Sequence, residues 1–293
     1  MLNRRTDLAL EARELRGDAP GVVCEEGTLE GFPLTTVRIQ DSRGAQALGK
    51  PAGTYYTLDL TGLTRREEDA FRRAVRAVAA LLPPLLKLSD GESVLVAGLG
   101  NRAITPDAVG PRTADRTLVT RHLVDMAPRQ FGSFRPVAAL AAGVLGTTGV
   151  ESGELVRAVA DRIRPRAVIA VDALAARRLE RLCATVQIAD TGISPGSGVG
   201  NHRFSLSRET LGIPVIAVGV PTVVDGATLA ADLLEPGSGE VPEALRDRPG
   251  ASLIVTPKDI DQRVEDMAKV LGYGISLSLQ SGLTLADLEL LLE

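Results

Sequence analysis

Tryptophan is absent from the 293 residues, and two cysteines, two histidines and 3% aromatic residues are all that the chain has of those types. Cys24 and Cys183 are too few for a disulfide framework or a four-cysteine zinc site, and both read as buried free thiols. With His122 and His202 alone, there is no HExxH motif and little capacity for a histidine-rich metal site. A Ser-His-Asp triad would have to use one of those two histidines. Gly196-Ser197-Gly198 has the wrong spacing for a nucleophile elbow. No apolar run reaches the length of a membrane span, and the first twenty residues lack the apolar core of a secretion signal, which implies an intracellular, cytoplasmic protein. The 33 basic against 37 acidic residues, net −4, give no general attraction to nucleic acid or anionic lipid. What is present, 44% hydrophobic and 24% charged residues, suffices for a buried core and fits an ordinary globule.

The length suits one domain, 1–293, with an irregular arm over residues 1–60 and an α/β core over 61–293. The arm is rich in turn formers but holds two short strand candidates, 35–39 and 54–58. Thr64 with Glu67 forms a capping-box pattern ahead of a helical repeat, which predicts a helix over 65–82, ended by Pro83-Pro84. Beyond it, the short runs at 93–98, 136–140, 167–171, 214–218 and 252–255 are apolar on both faces, as strands of a buried parallel sheet are. Amphipathic segments near 112–125, 151–163, 225–234, 258–272 and 284–292 read as helices. The alternation implies right-handed crossovers and a three-layer α/β fold with a mostly parallel twisted sheet between helices. The polar, turn-rich residues 235–240 read as an exposed loop.

Ligands of open α/β sheets bind beyond the carboxyl ends of the strands, which directs attention to two aspartates. Asp107 follows the strand candidate 93–98 within Gly98-Leu99-Gly100-Asn101-Arg102-Ala103-Ile104-Thr105-Pro106-Asp107. That stretch is a poor dinucleotide fingerprint, since Pro106 and Pro111 keep a helix from starting at the glycines. Asp107 reads either as a cap for the next helix or as a functional carboxylate. Asp172 continues an apolar strand, where an ionised group needs a partner. It reads as a structural carboxylate held by Arg177 or Arg178, as a cap for a helix near Ala173, or as a catalytic group. Should both stand at the sheet's carboxyl edge, they could share one proton, the ionised member activating water and the protonated one polarising a carbonyl. A metal site from Asp107, Asp172 and Glu151, with His202, is a variant without a spacing signature. The basic clusters at Arg65/Arg66/Arg72/Arg73/Arg76 and Arg177/Arg178/Arg181 alternate with acids and read as solvated, ion-paired helix faces; an acidic-substrate groove is the alternative. Asp190-Thr191-Gly192 matches the triplet of pepsin-like proteases, but that chemistry needs two triplets on a β-rich fold. The loop with Gly192, Gly196, Gly198 and Gly200 reads instead either as a backbone cradle for an extended substrate or as a plain connection.

These residues, in order, resemble the germination protease family of endospore-forming bacteria, which degrades small acid-soluble spore proteins. The blocks are Arg5-Thr6-Asp7-Leu8-Ala9-Leu10-Glu11-Ala12, then Gly98 to Asn101 with Ile104 to Pro111, Thr148-Gly149-Val150-Glu151, Val168 to Ala175, and Ala189 to Asn201. The resemblance implies a fold similar to hydrogenase-maturation peptidases and an aspartic-type catalytic pair falling on Asp107 and Asp172. Asn101 and Glu151 would orient the pair or the substrate, with Asp190, Thr191 and Gly192 in a supporting loop. It implies no cofactor, although the corresponding positions in hydrogenase peptidases help bind a metal. It further implies a homotetramer in the spore or forespore interior, made as an inactive zymogen. Here only Met1 to Arg4 precede the first block, so the expected prosegment is very short or absent. Three readings stand: an aspartate-dependent endopeptidase, a metallopeptidase on the same carboxylates, and a nonproteolytic peptide-binding relative.

Overall fold

The computed structural model of the chain describes residues 6–194, 204–234, 250 and 253–292. Its strands are β1 (Val22–Leu29), β2 (Phe32–Ile39), β3 (Gly53–Asp59), β4 (Val94–Leu99), β5 (Val137–Gly143), β6 (Ala167–Ala175), β7 (Thr185–Ala189), β8 (Val215–Asp225) and β9 (Ile254–Val255). The longer helices are α1 (Ala9–Arg16), α2 (Ser42–Leu48), α3 (Ala70–Leu81), α4 (Val109–Asp115), α5 (Ser152–Ile163), α6 (Gly226–Leu234), α7 (Ile260–Leu279) and α8 (Leu285–Leu292). One sheet runs in the order β1-β2-β3-β7-β8-β6-β4-β5, with β9 attached to β8.

The sheet is mixed rather than mostly parallel. β8, β6, β4 and β5 are parallel neighbours, whereas β1, β2, β3 and β7 pair antiparallel and join β8 antiparallel. The cause lies in the amino-terminal region, which is more regular than the expected arm. Glu30 and Gly31, both at positive φ, make a two-residue turn that closes β1 on β2, the geometry that tight hairpins favour. The two strand candidates there fall within β2 and β3.

In the parallel half, successive side chains feed opposite cores. Val96, Ile169, Val171, Ile216 and Val218 pack on α3 and α7. Leu95, Ala97, Val168, Ala170 and Val215 pack on α5. Helices thus cover both faces, which is why these strands read as unbroken apolar runs. β9 pairs antiparallel to β8 and is not a further parallel strand.

The helix expected from residue 65 begins only at Ala70. Thr64 closes a separate turn, donating its hydroxyl to the Thr61 carbonyl, and Arg66 and Asp69 both sit at positive φ, which no continuous helix tolerates. The expected 258–272 helix runs on to Leu279, with Gly274 lying against Val78 of α3 and Gly272 against Arg116 just after α4. The segment near 112–125 divides into α4 and a shorter turn, Arg121–Met126. Cys183 is buried, but Cys24 is only partly so. The loop 235–240, the glycines at 196, 198 and 200, and His202 lie outside the described residues. Among the described residues no helix is long and apolar enough to cross a membrane.

Candidate functional site

The glycines between β4 and α4 have a packing role. A methyl on Gly110 would stand 2.5 Å from the Leu99 amide nitrogen and closer to the carbonyls of Leu99 and Val171. The start of α4 is therefore pressed against the end of β4 and the middle of β6. Gly110 is three residues after Asp107, and Val171 is one before Asp172. The short turn Thr105–Asp107 also packs on β6 and β8. The turn that carries Asp107 thus lies against β6, of which Asp172 is the sixth of nine residues.

Asp107 does not cap α4, whose first turn has no side-chain cap. Its carboxylate turns back, and Oδ2 accepts the Asn101 N–H at 2.7 Å. Gly100, at φ 111°, leaves room for the Asp107 backbone beside it. Asn101 accordingly orients Asp107 through its main chain, while its side-chain oxygen accepts from Ala103 N–H and shapes the turn.

Asp172 does not precede a helix: β6 continues through it to Ala175, and it stands opposite Gly219 of β8. It is 5% exposed, and Oδ1 accepts the Ala173 N–H at 2.9 Å. Arg177, at 2% exposure, and Arg178 turn elsewhere: both face Glu14, and Arg177 also faces Asp232. Arg181 pairs with Glu11 and Glu14. The second basic cluster is therefore an inner seam against α1 rather than a solvated helix face. The first is a surface network, with Arg72, Arg73 and Arg76 paired to Glu289, Glu67, Glu30 and Asp69.

Side-chain alternation puts Asp172 on the sheet face that carries Val168 and Ala170. On that face a cavity of about 650 Å³ opens over Leu174, Ala217, Gly219 and Gln187. Asp190, Thr191 and Gly192 form part of its wall. Asp190 is exposed and extends the β3–β7 pairing, its Oδ1 accepting Thr54 N–H at 2.8 Å. Gly192, at φ 75°, leaves no room for a side chain beside Leu206 and Ser207. Glu151 immediately precedes α5, beyond the end of edge strand β5, and so lies two strands from Asp172. Among the described residues no group of three His, Cys, Asp or Glu side chains is placed to hold a metal ion, so Asp107, Asp172 and Glu151 do not form the trio considered above.

Sequence reasoning missed much of the cavity wall. Lys50 donates its ammonium to the Thr6 and Asp7 carbonyls, and burial lowers its pKa. Tyr55 donates its hydroxyl to the Pro51 carbonyl at 2.8 Å, and burial pushes its pKa up to about 12. Gln187 accepts Ala9 N–H at 2.7 Å and donates to the Asp7 carbonyl. A polar residue inside the apolar run 185–189 was the available signal for Gln187; Lys50 and Tyr55 carried none.

The family model described as germination protease matches residues 3–236. The chain is 45% identical to the germination protease of Caldanaerobacter subterraneus subsp. tengcongensis, covering 100% of this chain and 99% of that one. It is 42% identical to that of Clostridium perfringens, with 98% of each chain covered. It is 37% identical to that of Bacillus pumilus, covering 94% of this chain and 93% of the other. The ordered blocks and the extent of these matches agree: the chain belongs to the germination protease family and, with it, to the peptidases.

Proposed function

We propose that this chain is an endopeptidase that hydrolyses small acid-soluble spore proteins during germination, with Asp107 and Asp172 as its catalytic pair. The observation that supports the reading is a buried carboxylate, Asp172, on the strand position opposite Gly219, which lines a cavity of about 650 Å³, together with the packing of the Asp107 turn against β6. Like charges at close range favour the state in which one carboxyl keeps its proton. The ionised member then takes a proton from water as that water attacks the peptide carbonyl, and the protonated member donates a hydrogen bond to the developing oxyanion. Collapse of the tetrahedral intermediate needs a proton on the leaving amine, which the first carboxyl now holds. The Asn101 N–H fixes one oxygen of Asp107 and so orients its carboxylate. The cavity receives the extended substrate, with Asp190, Thr191 and Gly192 along one side and Glu151 at the periphery. The same reading puts the enzyme in the spore interior as a homotetramer, which sedimentation of the purified protein tests.

Asp107→Asn and Asp172→Asn, each verified as folded, are expected to lose at least about 10²-fold in kcat on a small acid-soluble spore protein. Full activity in either variant rejects the pair. Activity is expected to survive dialysis against a chelator. Loss restored by a divalent cation would replace the shared proton with a metal held between the two carboxylates.

A further inference from the structure

β4 pairs with β6 only as far as Gly98 opposite Val171, so residues 172–175 of β6 overhang their neighbour. Val168 N–H donates to the Pro214 carbonyl of the β8 side, and Ala176 N–H donates to Val223. Val168, Ala170, Asp172 and Leu174 therefore direct their main chain to β8, and Ala173 and Ala175 direct theirs to the side that β4 has left. A strand edge there has donors and acceptors that must be satisfied. The Ala173 N–H goes to the carboxylate of Asp172 itself. The Ala175 N–H goes to Oδ2 of Asp7 at 2.8 Å, and the Ala175 carbonyl accepts the Asp7 N–H at 2.9 Å. Asp7 thus replaces the missing β4 residue with both its main chain and its side chain.

The segment carrying Asp7 is itself firmly held. Leu8 is fully buried with Leu174, Ala176 and Leu182. The fully buried carboxylate of Glu11 accepts Arg177 N–H at 2.7 Å and Arg178 N–H at 3.0 Å, and it also bonds Thr6 Oγ1 and Arg181. Lys50 and Gln187 hold the Asp7 carbonyl from the cavity side. These contacts hold the chain from Leu174 to Arg178, beginning two residues after Asp172.

We infer that Asp7 is a positioning residue for catalysis: it locks the overhang of β6 and so fixes the direction in which Asp172 presents its carboxylate. The inference rests on the catalytic assignment of Asp172. Its test is steady-state proteolysis of a small acid-soluble spore protein by the full chain carrying Asp7→Ala, Asp7→Asn or Asp172→Asn, with thermal unfolding of each. Asp7→Ala is expected to lower kcat at least tenfold with KM within twofold of wild type. Asp7→Asn keeps an oxygen acceptor for Ala175 N–H and is expected to recover kcat to within about threefold of wild type. A stability role alone would lower the melting temperature and leave kcat per folded molecule unchanged, which overturns the inference. Equal losses in the Ala and Asn variants, or a change in KM alone, overturn it as well. Should Asp7→Ala not fold, Asp7→Glu decides: its longer arm displaces the carboxylate from Ala175, so a loss of kcat at unchanged KM supports positioning and a wild-type kcat refutes it. An active Asp172→Asn variant would instead remove the catalytic assignment beneath the inference.

Discussion

Gly110→Ala is the sharpest perturbation of the proposed site that touches no ionisable group. The added methyl would stand 2.5 Å from the Leu99 amide nitrogen and closer to the carbonyl oxygens of Leu99 and Val171. Carbon–oxygen contacts settle at about 3.3 Å or more, so α4 must retreat from β4 and β6 by roughly an ångström. All three obstacles are backbone atoms inside a paired sheet, and no rotamer change relieves them. Overpacking of this kind costs about 2–3 kcal/mol. At roughly 2–4 °C per kcal/mol for a chain of this size, Tm falls by about 4–12 °C. Because Asp107 precedes α4 and Asp172 follows Val171, the same retreat is expected, under the proposed pairing, to shift one carboxylate relative to the other. An ångström of misplacement at reacting groups lowers kcat by on the order of 10²-fold. Thermal unfolding and kcat on one spore-protein substrate, measured on the same preparation, test both parts. Wild-type Tm refutes the packing argument, and a lowered Tm with wild-type kcat per folded molecule refutes the link between α4 and the pair.

Three further outcomes follow from other residues. Burial raises the Tyr55 pKa from 10.0 to about 12, so the folded state holds the phenolic proton where the unfolded chain has lost it. Stability should then fall by about 2–3 kcal/mol between pH 10 and 12, and in Tyr55→Phe that decline should disappear from denaturant titrations, at a cost near neutral pH of about 1 kcal/mol for the lost bond to Pro51. Glu11→Ala strips the acceptor from two buried backbone N–H groups and from Arg181, and is expected to cost about 3–5 kcal/mol in urea unfolding, with Glu11→Gln costing less. Gly192→Ala meets Ser207 Cα at 2.8 Å and an unfavourable φ of 75°, so the loop must shift along the cavity wall; KM should rise more than kcat falls, and unchanged kinetics would remove this loop from substrate binding.

The parts of the fold legible in the sequence were those where one force dominates. The doubly buried strands β4, β6 and β8 announced themselves as apolar runs, because helices cover both of their faces, and edge strand β5 did so although it is only partly buried. β7 was missed although it too is buried, since Thr185 and Gln187 break its apolar signature; Gln187 binds the Ala9 and Asp7 main chains, a tertiary requirement invisible locally. The early start assigned to α3 failed for the opposite reason. Thr64 and Glu67 fit a cap pattern, but the chain turns twice at Arg66 and Asp69 before the helix begins, and nothing in the letters distinguishes those positions.

The same contrast separates the candidate aspartates. Asp190 carries the triplet that a pattern search selects first, yet it is exposed and its carboxylate bonds the Thr54 N–H, a service to strand pairing that any short acceptor could perform. Asp172 sits in no named triplet, and its distinction is physical: it is an acid in the middle of a nine-residue strand whose neighbours are apolar, opposite a glycine that lines a cavity. Keeping an ionisable group there opposes folding unless its surroundings compensate. The compensation extends outward to the Ala173 N–H and, through Ala175, to Asp7, which is 165 residues away in sequence. A site built from separate chain segments in this way leaves only its costliest residue visible to a linear reading; the residues that hold it appear once the overhang of β6 is seen to need partners that β4 does not supply.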